Sequence, residues 1–240
     1  MVKFWVVAVV CTSAFAGTIV VPNAEKNVPG NDVAGGPSSP TPSIFQELFG
    51  SGQFTSTGPI EITKLSWRAA PGMGPVDIGL GNVSLYLSTS PNFPNSSGPL
   101  MSTTFANNVG PDNTLVYSGT NVTLSDAGCS GPGVCPFDLN FNFTTPFNYN
   151  PAHGRLLAEF VFTGLELNSA NGQDFQDFSA PGGSVAQVFE AGSTTATTGS
   201  FDYSGVITQL TFVPEPASWL MMASAAVLAA VRKQRFGKRG

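Results

Sequence analysis

Charge is scarce in this chain. Only 10% of its 240 residues are Asp, Glu, Lys or Arg, well under the roughly 25% usual in soluble domains. Basic residues are scarcest where a fold would sit. Of ten Lys and Arg, Lys3 lies near the start, and Arg232, Lys233, Arg235, Lys238 and Arg239 follow the last apolar run. Lys26, Lys64, Arg68 and Arg155 then stand against fifteen acids, a net of about −11 between the two ends. A surface so poor in cations cannot neutralise a run of phosphates, which argues against a nucleic-acid partner.

Histidine is also nearly absent: His153 is the only one. It stands in "NPAHGR", a turn before a strand, where a solvated ring is the ordinary outcome. A Ser–His–Asp set can be assembled on paper from most compositions and carries little weight. No G-x-S-x-G, H-E-x-x-H or phosphate-binding glycine loop occurs, so no nucleophile elbow, zinc-protease helix or nucleotide cradle is indicated. No fixed-period repeat argues for a β-helix or propeller, and no helical segments alternate with the strands as a doubly wound fold would need.

In place of charge the chain carries 27 Gly, 19 Pro and 19 Phe among many Asn, Ser and Thr. Aromatic and β-branched residues broken by turn formers predict short strands joined by tight turns. "FDLNFNF" gives the plainest alternation: Phe137, Leu139, Phe141 and Phe143 fall on one face, with Asp138, Asn140 and Asn142 on the other. "NVSLYLS" likewise aligns Val83, Leu85 and Leu87. "IEITKLSW" starts in one phase at Ile60 and Ile62 and resumes in the other at Leu65 and Trp67, which predicts a bulge near Lys64. "RLLAEFVFTG" is apolar on both faces apart from Glu159 and so reads as a central strand. "SVAQVFEAG" and "GVITQLTFV" supply the last strands, and "IFQELFGSG" reads as one helical turn. The expected fold is all-β: an antiparallel β-sandwich, jelly-roll-like.

The two ends read as addresses. At the start, Lys3, an apolar run over residues 4–11 and the small-x-small "AFA" at 14–16 follow the order of a secretory signal peptide, with cutting before Gly17. A buried strand or a lipid-modified Cys11 is the weaker reading, since Val10 is bulky where lipidation wants a small residue. At the finish, residues 217–231 carry no charge. As a helix they would be about 22 Å long, short of the ~30 Å hydrocarbon core. The basic Arg232, Lys233 and Arg235 behind them hold that flank in the cytoplasm under the positive-inside rule, leaving the body outside.

With Val213, Pro214, Glu215 and Pro216 ahead of the apolar run and the basic residues behind it, this ending resembles the PEP-CTERM sorting signal of Gram-negative bacteria. The resemblance implies recognition by an exosortase-type processing enzyme, a transient stay in the inner membrane, and removal of the tail. The segments "VVPNA…VPGN", "STTFANNVGPDNTLVYSG" and "TTPFNYNPAHGRLLAEF" resemble a group of secreted proteins that carry the same signal. That likeness implies a β-rich exported domain and transfers no activity. The expected layout is a signal peptide over 1–16, an extended Pro/Gly/Ser-rich arm over 17–43, a β-sandwich over 44–213 and the sorting signal over 214–240. The expected role is a non-enzymatic surface or matrix protein, located at the cell surface, outer membrane or extracellular matrix.

Three further candidates stand inside the body. Cys129 and Cys135 frame "CSGPGVC"; once a cut removes Cys11 they form an even exported pair, which reads as a small-loop disulfide. A metal site would want further ligands, and a redox pair a shorter spacing. Asn171, Asp174 and Asp177 offer oxygens for calcium, or a carboxylate pair for a glycosidase, though solvated turn acids are the default and no cofactor is expected. Among the rings, Trp67, Tyr86, Tyr117, Tyr149 and Tyr203 could stack on sugar, although Trp67, at the end of an alternating strand, is expected in the core. Tyr149, in the turn-like "FNYNPA", is expected at the surface as a contact for exopolysaccharide. That makes a carbohydrate-binding jelly roll the alternative function. A glycoside hydrolase, or an ice-binding strip on the Thr-rich "GSTTATTGS" over 192–200, is a lesser one.

Overall fold

A computed structural model describes residues 16–31, 42–54, 58–72, 74–95, 97–129, 131–164, 166–167, 175–177 and 183–214. The strands in chain order are β1 (Gly17–Val21), β2 (Ser43–Phe49), β3 (Ile60–Trp67), β4 (Val76–Ser90), β5 (Thr114–Asp126), β6 (Leu139–Tyr149), β7 (Arg155–Phe162), β8 (Glu166–Leu167), β9 (Phe175–Asp177), β10 (Val185–Ala191), β11 (Ser200–Asp202), β12 (Ser204–Val206) and β13 (Thr208–Pro214). One sheet runs β1-β13-β3-β6. The other runs β11-β10-β2-β7-β4-β5, with β8 beside β4, and β12 and β9 form a separate pair. All of these strand pairings are antiparallel. The fold is therefore all-β, two antiparallel sheets packed as a sandwich.

Period-two patterning builds the space between the sheets. Leu139, Phe141, Phe147 and Tyr149 of β6 turn inward with Leu65 and Trp67 of β3, and meet Phe45, Leu85, Phe160 and Phe162 of the second sheet. Trp67 lies 5.0 Å from both the Phe141 and the Phe160 rings, and Phe160 in turn lies 5.8 Å from Phe45. Truncating a ring buried this deeply costs about 3–5 kcal/mol. The bulge expected near Lys64 is present. Ile62 faces Phe147 while Lys64 faces Asn142, so β6 loops out residues 143–146 opposite Thr63 alone. Pro146 lies in that stretch, where the missing amide breaks no ladder bond.

β7 is central, flanked by β2 and β4; its inner face is buried throughout, and its outer face is buried at Leu157 and half-buried at Arg155, Glu159 and Val161. Leu156, Ala158, Phe160 and Phe162 point into the sandwich, whereas Leu157 joins a second core on the outer face with Ile44, Leu48, Met101, Phe105 and Val188. Residues 91–95 and 97–113 fold back over half of that outer face. A 3-10 turn at Phe105–Asn107 is tied to the loop before β11, with the Phe105 amide donating to the Thr197 carbonyl (3.1 Å) and the Gly199 amide to Thr103 (2.9 Å).

Two expectations are corrected here. "IFQELF" is not a helical turn but the strand β2, with all seven of its residues buried. It lies between β10 and β7 and is covered on both faces, so alternation is invisible in its sequence. The segment expected as an arm over 17–43 is in part sheet. Gly17–Val21 pairs along its length with β13, and Ile19, Val20 and Val21 are buried. The sandwich thus begins at Gly17 rather than 44. The following turn is pinned as well: the Asn23 amide donates to Gln53 Oε1 (2.7 Å), and Arg68 donates to the Glu25 and Val28 carbonyls at 3.0 and 2.9 Å. Residues 32–41 lie outside the described residues.

Candidate functional site

The sequence candidates scatter. Tyr149, expected at the surface, is fully buried. It is the last residue of β6, packs edge-on against Phe54 at 5.0 Å, and donates its hydroxyl to the Gly154 carbonyl at 2.9 Å. Burial pushes its phenol pKa well up. The strand's inward phase, not the turn that follows, decides its direction. Trp67 is core too, donating through Nε1 to the Thr208 hydroxyl at 3.1 Å. Tyr117 packs edge-on against Phe141, and Tyr203 against Phe201. His153 is exposed, with a ring nitrogen 3.3 Å from the Asn150 amide. The run 192–200 is no flat strip, since Thr197 and Gly199 bond to the cover and Ala196 packs on the outer core.

Cys129 and Cys135 are bonded, their Cα atoms 5.5 Å apart. Asn171 and Asp174 lie outside the described residues, and Asp177 closes β9 opposite Ser204. Among the described residues, no three His, Cys, Asp or Glu are grouped to hold a metal ion. Val213 and Pro214 end β13, facing Glu61 and Ile60 of β3. Glu215, Pro216, Arg232, Lys233 and Arg235 lie outside the described residues, as do residues 1–15. Among the described residues no helix is long and apolar enough to cross a membrane.

Two polar centres went unnoticed in the sequence, and both begin on β2. Gln46 faces outward and is fully buried beneath the cover. Its Nε2 donates to the Phe105 carbonyl at 3.1 Å and to the Glu159 carboxylate. Its Oε1 accepts from Asn108 Nδ2 at 2.8 Å. Asn108 also donates to the Ser102 carbonyl (2.7 Å) and accepts from the Ser102 amide (2.7 Å) and Asn92 Nδ2 (2.8 Å). Two donors and two acceptors exhaust an amide side chain, so Asn108 is saturated and clamps the cover to the sheet.

Glu47 points the other way, into the sandwich, and is also fully buried. Neither carboxyl oxygen completes a hydrogen bond. The Val206 amide and Thr208 hydroxyl face it, but the hydroxyl already donates to the Val206 carbonyl at 3.0 Å. Burial raises the Glu47 pKa well above the usual carboxyl range, outweighing those two neighbours. Burial raises Glu159 as well, partly offset by Gln46. The two raised carboxyls lie on opposite faces of one sheet, so they cannot flank one glycosidic bond.

Glu159 marks a boundary. Val188, Gln46, Glu159, Tyr86 and Leu115 form one cross-strand row over β10, β2, β7, β4 and β5. Val188 and Gln46 are buried under the cover, Glu159 and Tyr86 are half-buried, and Leu115 is 41% exposed. Of the five rings picked from the sequence, Tyr86 is the one on this partly open sheet face beside a carboxylate. No family model matches this chain, and neither a curated protein nor a solved structure matches it.

Proposed function

We propose that this chain is an exported, non-enzymatic surface or matrix protein of a Gram-negative bacterium, delivered by a cleavable signal at each end. One observation carries the proposal: the first and last described strands, β1 and β13, lie inside the two expected cuts and pair with each other. β1 opens at Gly17, the residue after "AFA", and β13 closes at Pro214, the first proline of Pro-Glu-Pro. The first and last strands pair with each other, Gly17 facing Phe212. Gly17 and the end of β13 therefore lie at the same end of the sandwich, so cuts outside residues 17–214 would spare both strands.

Jelly-roll connectivity supports the same picture. With β1, β2, β3, β4, β5, β6, β7 and β13 taken as the eight strands of a jelly roll, first to last, one sheet has the order first-last-third-sixth and the other second-seventh-fourth-fifth. This is the interleaved order that two nested Greek keys produce, with β10 and β11 added at the outer edge.

Changing Glu215 and Pro216 together to Ala tests the sorting step while leaving β13 intact. The expected outcome is retention in the inner membrane in place of release to the surface or medium, read by cell fractionation and immunoblotting. Unchanged delivery would remove the C-terminal signal from the proposal.

A further inference from the structure

We propose that the open half of the outer sheet face, centred on Tyr86 and Glu159, binds a neutral, hydroxyl-rich polysaccharide. This rests on the surface-protein reading and names the ligand class for it. Four features converge on that chemistry.

First, the face is divided. The cover formed by residues 91–95 and 97–113 seals β10, β2 and part of β7 with its own apolar residues, and stops at Gln46. Beyond it, the next row runs from buried Ile44 through half-buried Val161 and Ser84 to exposed Ser118. The open part therefore presents a ring, a carboxylate and hydroxyls on a sheet that the sandwich holds rigid from behind.

Second, Tyr86 and Glu159 are directly opposed on β4 and β7. A tyrosine ring takes the apolar C–H face of a sugar, and an adjacent carboxylate accepts from its hydroxyls through charge-assisted bonds. Third, Glu159 is positioned in advance. Gln46, fully buried and held on its other side by Asn108, donates from Nε2 to the Oε2 atom of Glu159. That leaves Oε1 for a ligand at small entropic cost. Fourth, charge selects against acidic chains. No Lys or Arg occurs in the two rows, and the body's acids far outnumber its bases, so a uronate-rich chain would be repelled whereas a neutral one would not.

The test is calorimetric titration of the trimmed protein, residues 17–214, with cellohexaose, laminarihexaose and xylohexaose, and with an alginate hexamer as the acidic arm. At least one neutral hexaose is expected to bind, and alginate not to. Tyr86→Ala should weaken binding about tenfold, Tyr86→Trp should retain it, and Glu159→Gln should weaken it at least about threefold. Circular dichroism of each variant checks the fold. No binding by any neutral hexaose would overturn the inference, as would equal binding by folded Tyr86→Ala or binding of alginate alone. Its failure is distinguishable from failure of the surface reading: a correctly trimmed surface protein that binds no hexaose ends this inference alone. Hexaose binding by a protein that keeps both ends in the membrane ends the other alone.

Discussion

Gln46 and Glu47 are neighbours on β2, equally buried, and opposite in their circumstances. A strand sends successive side chains to opposite faces, so one residue of separation places Gln46 beneath the outer cover and Glu47 inside the sandwich. Gln46 finds Phe105, Asn108 and Glu159. Glu47 finds a Thr208 hydroxyl whose proton is already committed, and neither of its oxygens is bonded. The difference shows what buried polarity does in this fold. Outside, a saturated network fixes a loop to a sheet and orients Glu159 at the edge of an open face. Inside, burial raises the pKa of a carboxyl that lacks hydrogen-bond partners, which favours its neutral form over a far costlier ionised one.

The contrast is most directly broken on the satisfied side. Asn108→Ala leaves Gln46, Asn92 and Ser102 groups unpaired under the cover and should cost about 3 kcal/mol, seen as a lower urea midpoint. A cost near zero would mean that water replaces the amide and that the cover is not clamped there. The opposite sign is expected inside. Glu47→Met keeps the volume and removes the unpaired carboxyl, and should stabilise the fold at neutral pH by about 1–2 kcal/mol. A large loss instead would reveal a partner that holds the carboxyl.

The pH dependence sharpens the same point. Unfolded Glu47 releases its proton near pH 4.3, whereas the folded pKa is raised. Above that range the folded state holds the extra proton, so stability contributed by the neutral form is full below about pH 4.3 and is lost as pH rises through the folded pKa. Chemical denaturation at successive pH values should show this decline in the wild type and a shallower one in Glu47→Met, the remainder reflecting Glu159, which is raised by the same cause. A smaller effect comes from Tyr149, a buried group that is satisfied inside the core. Tyr149→Phe removes its bond to Gly154 and should cost about 1 kcal/mol, measurable as a small drop in Tm.

Much of the fold was legible where one face of a strand is wet. "FDLNFNF" alternates because its second sheet face meets solvent, and the phase change in "IEITKLSW" marks the bulge near Lys64. β7 was recognisable as central from two apolar faces in a run too polar-poor for an edge. β2 was not, because Gln46 and Glu47 interrupt a segment whose every residue is buried. What satisfies Gln46 comes from 59 to 113 residues away, beyond any local pattern. Tyr149 misled for a related reason: its neighbours form a turn, while its own direction is set by the inward phase of β6. "SIFQELF" did hold one usable signal, a Gln-Glu pair inside an apolar run, which marks buried polarity in need of partners.

The proposed routing rests on the two ends of the chain, and the fold narrows where the proposed cuts could fall. With β1 starting at Gly17 and β13 finishing at Pro214, a cut inside 17–214 would remove part of a sheet. The intact mass of the protein recovered from the native cell surface or matrix is therefore the most direct test. The expected species begins at Gly17, ends upstream of Ala217 and carries the Cys129–Cys135 bond. A recovered mass that retains residues 217–240 with their basic tail would contradict the sorting signal and leave a permanently anchored protein in its place.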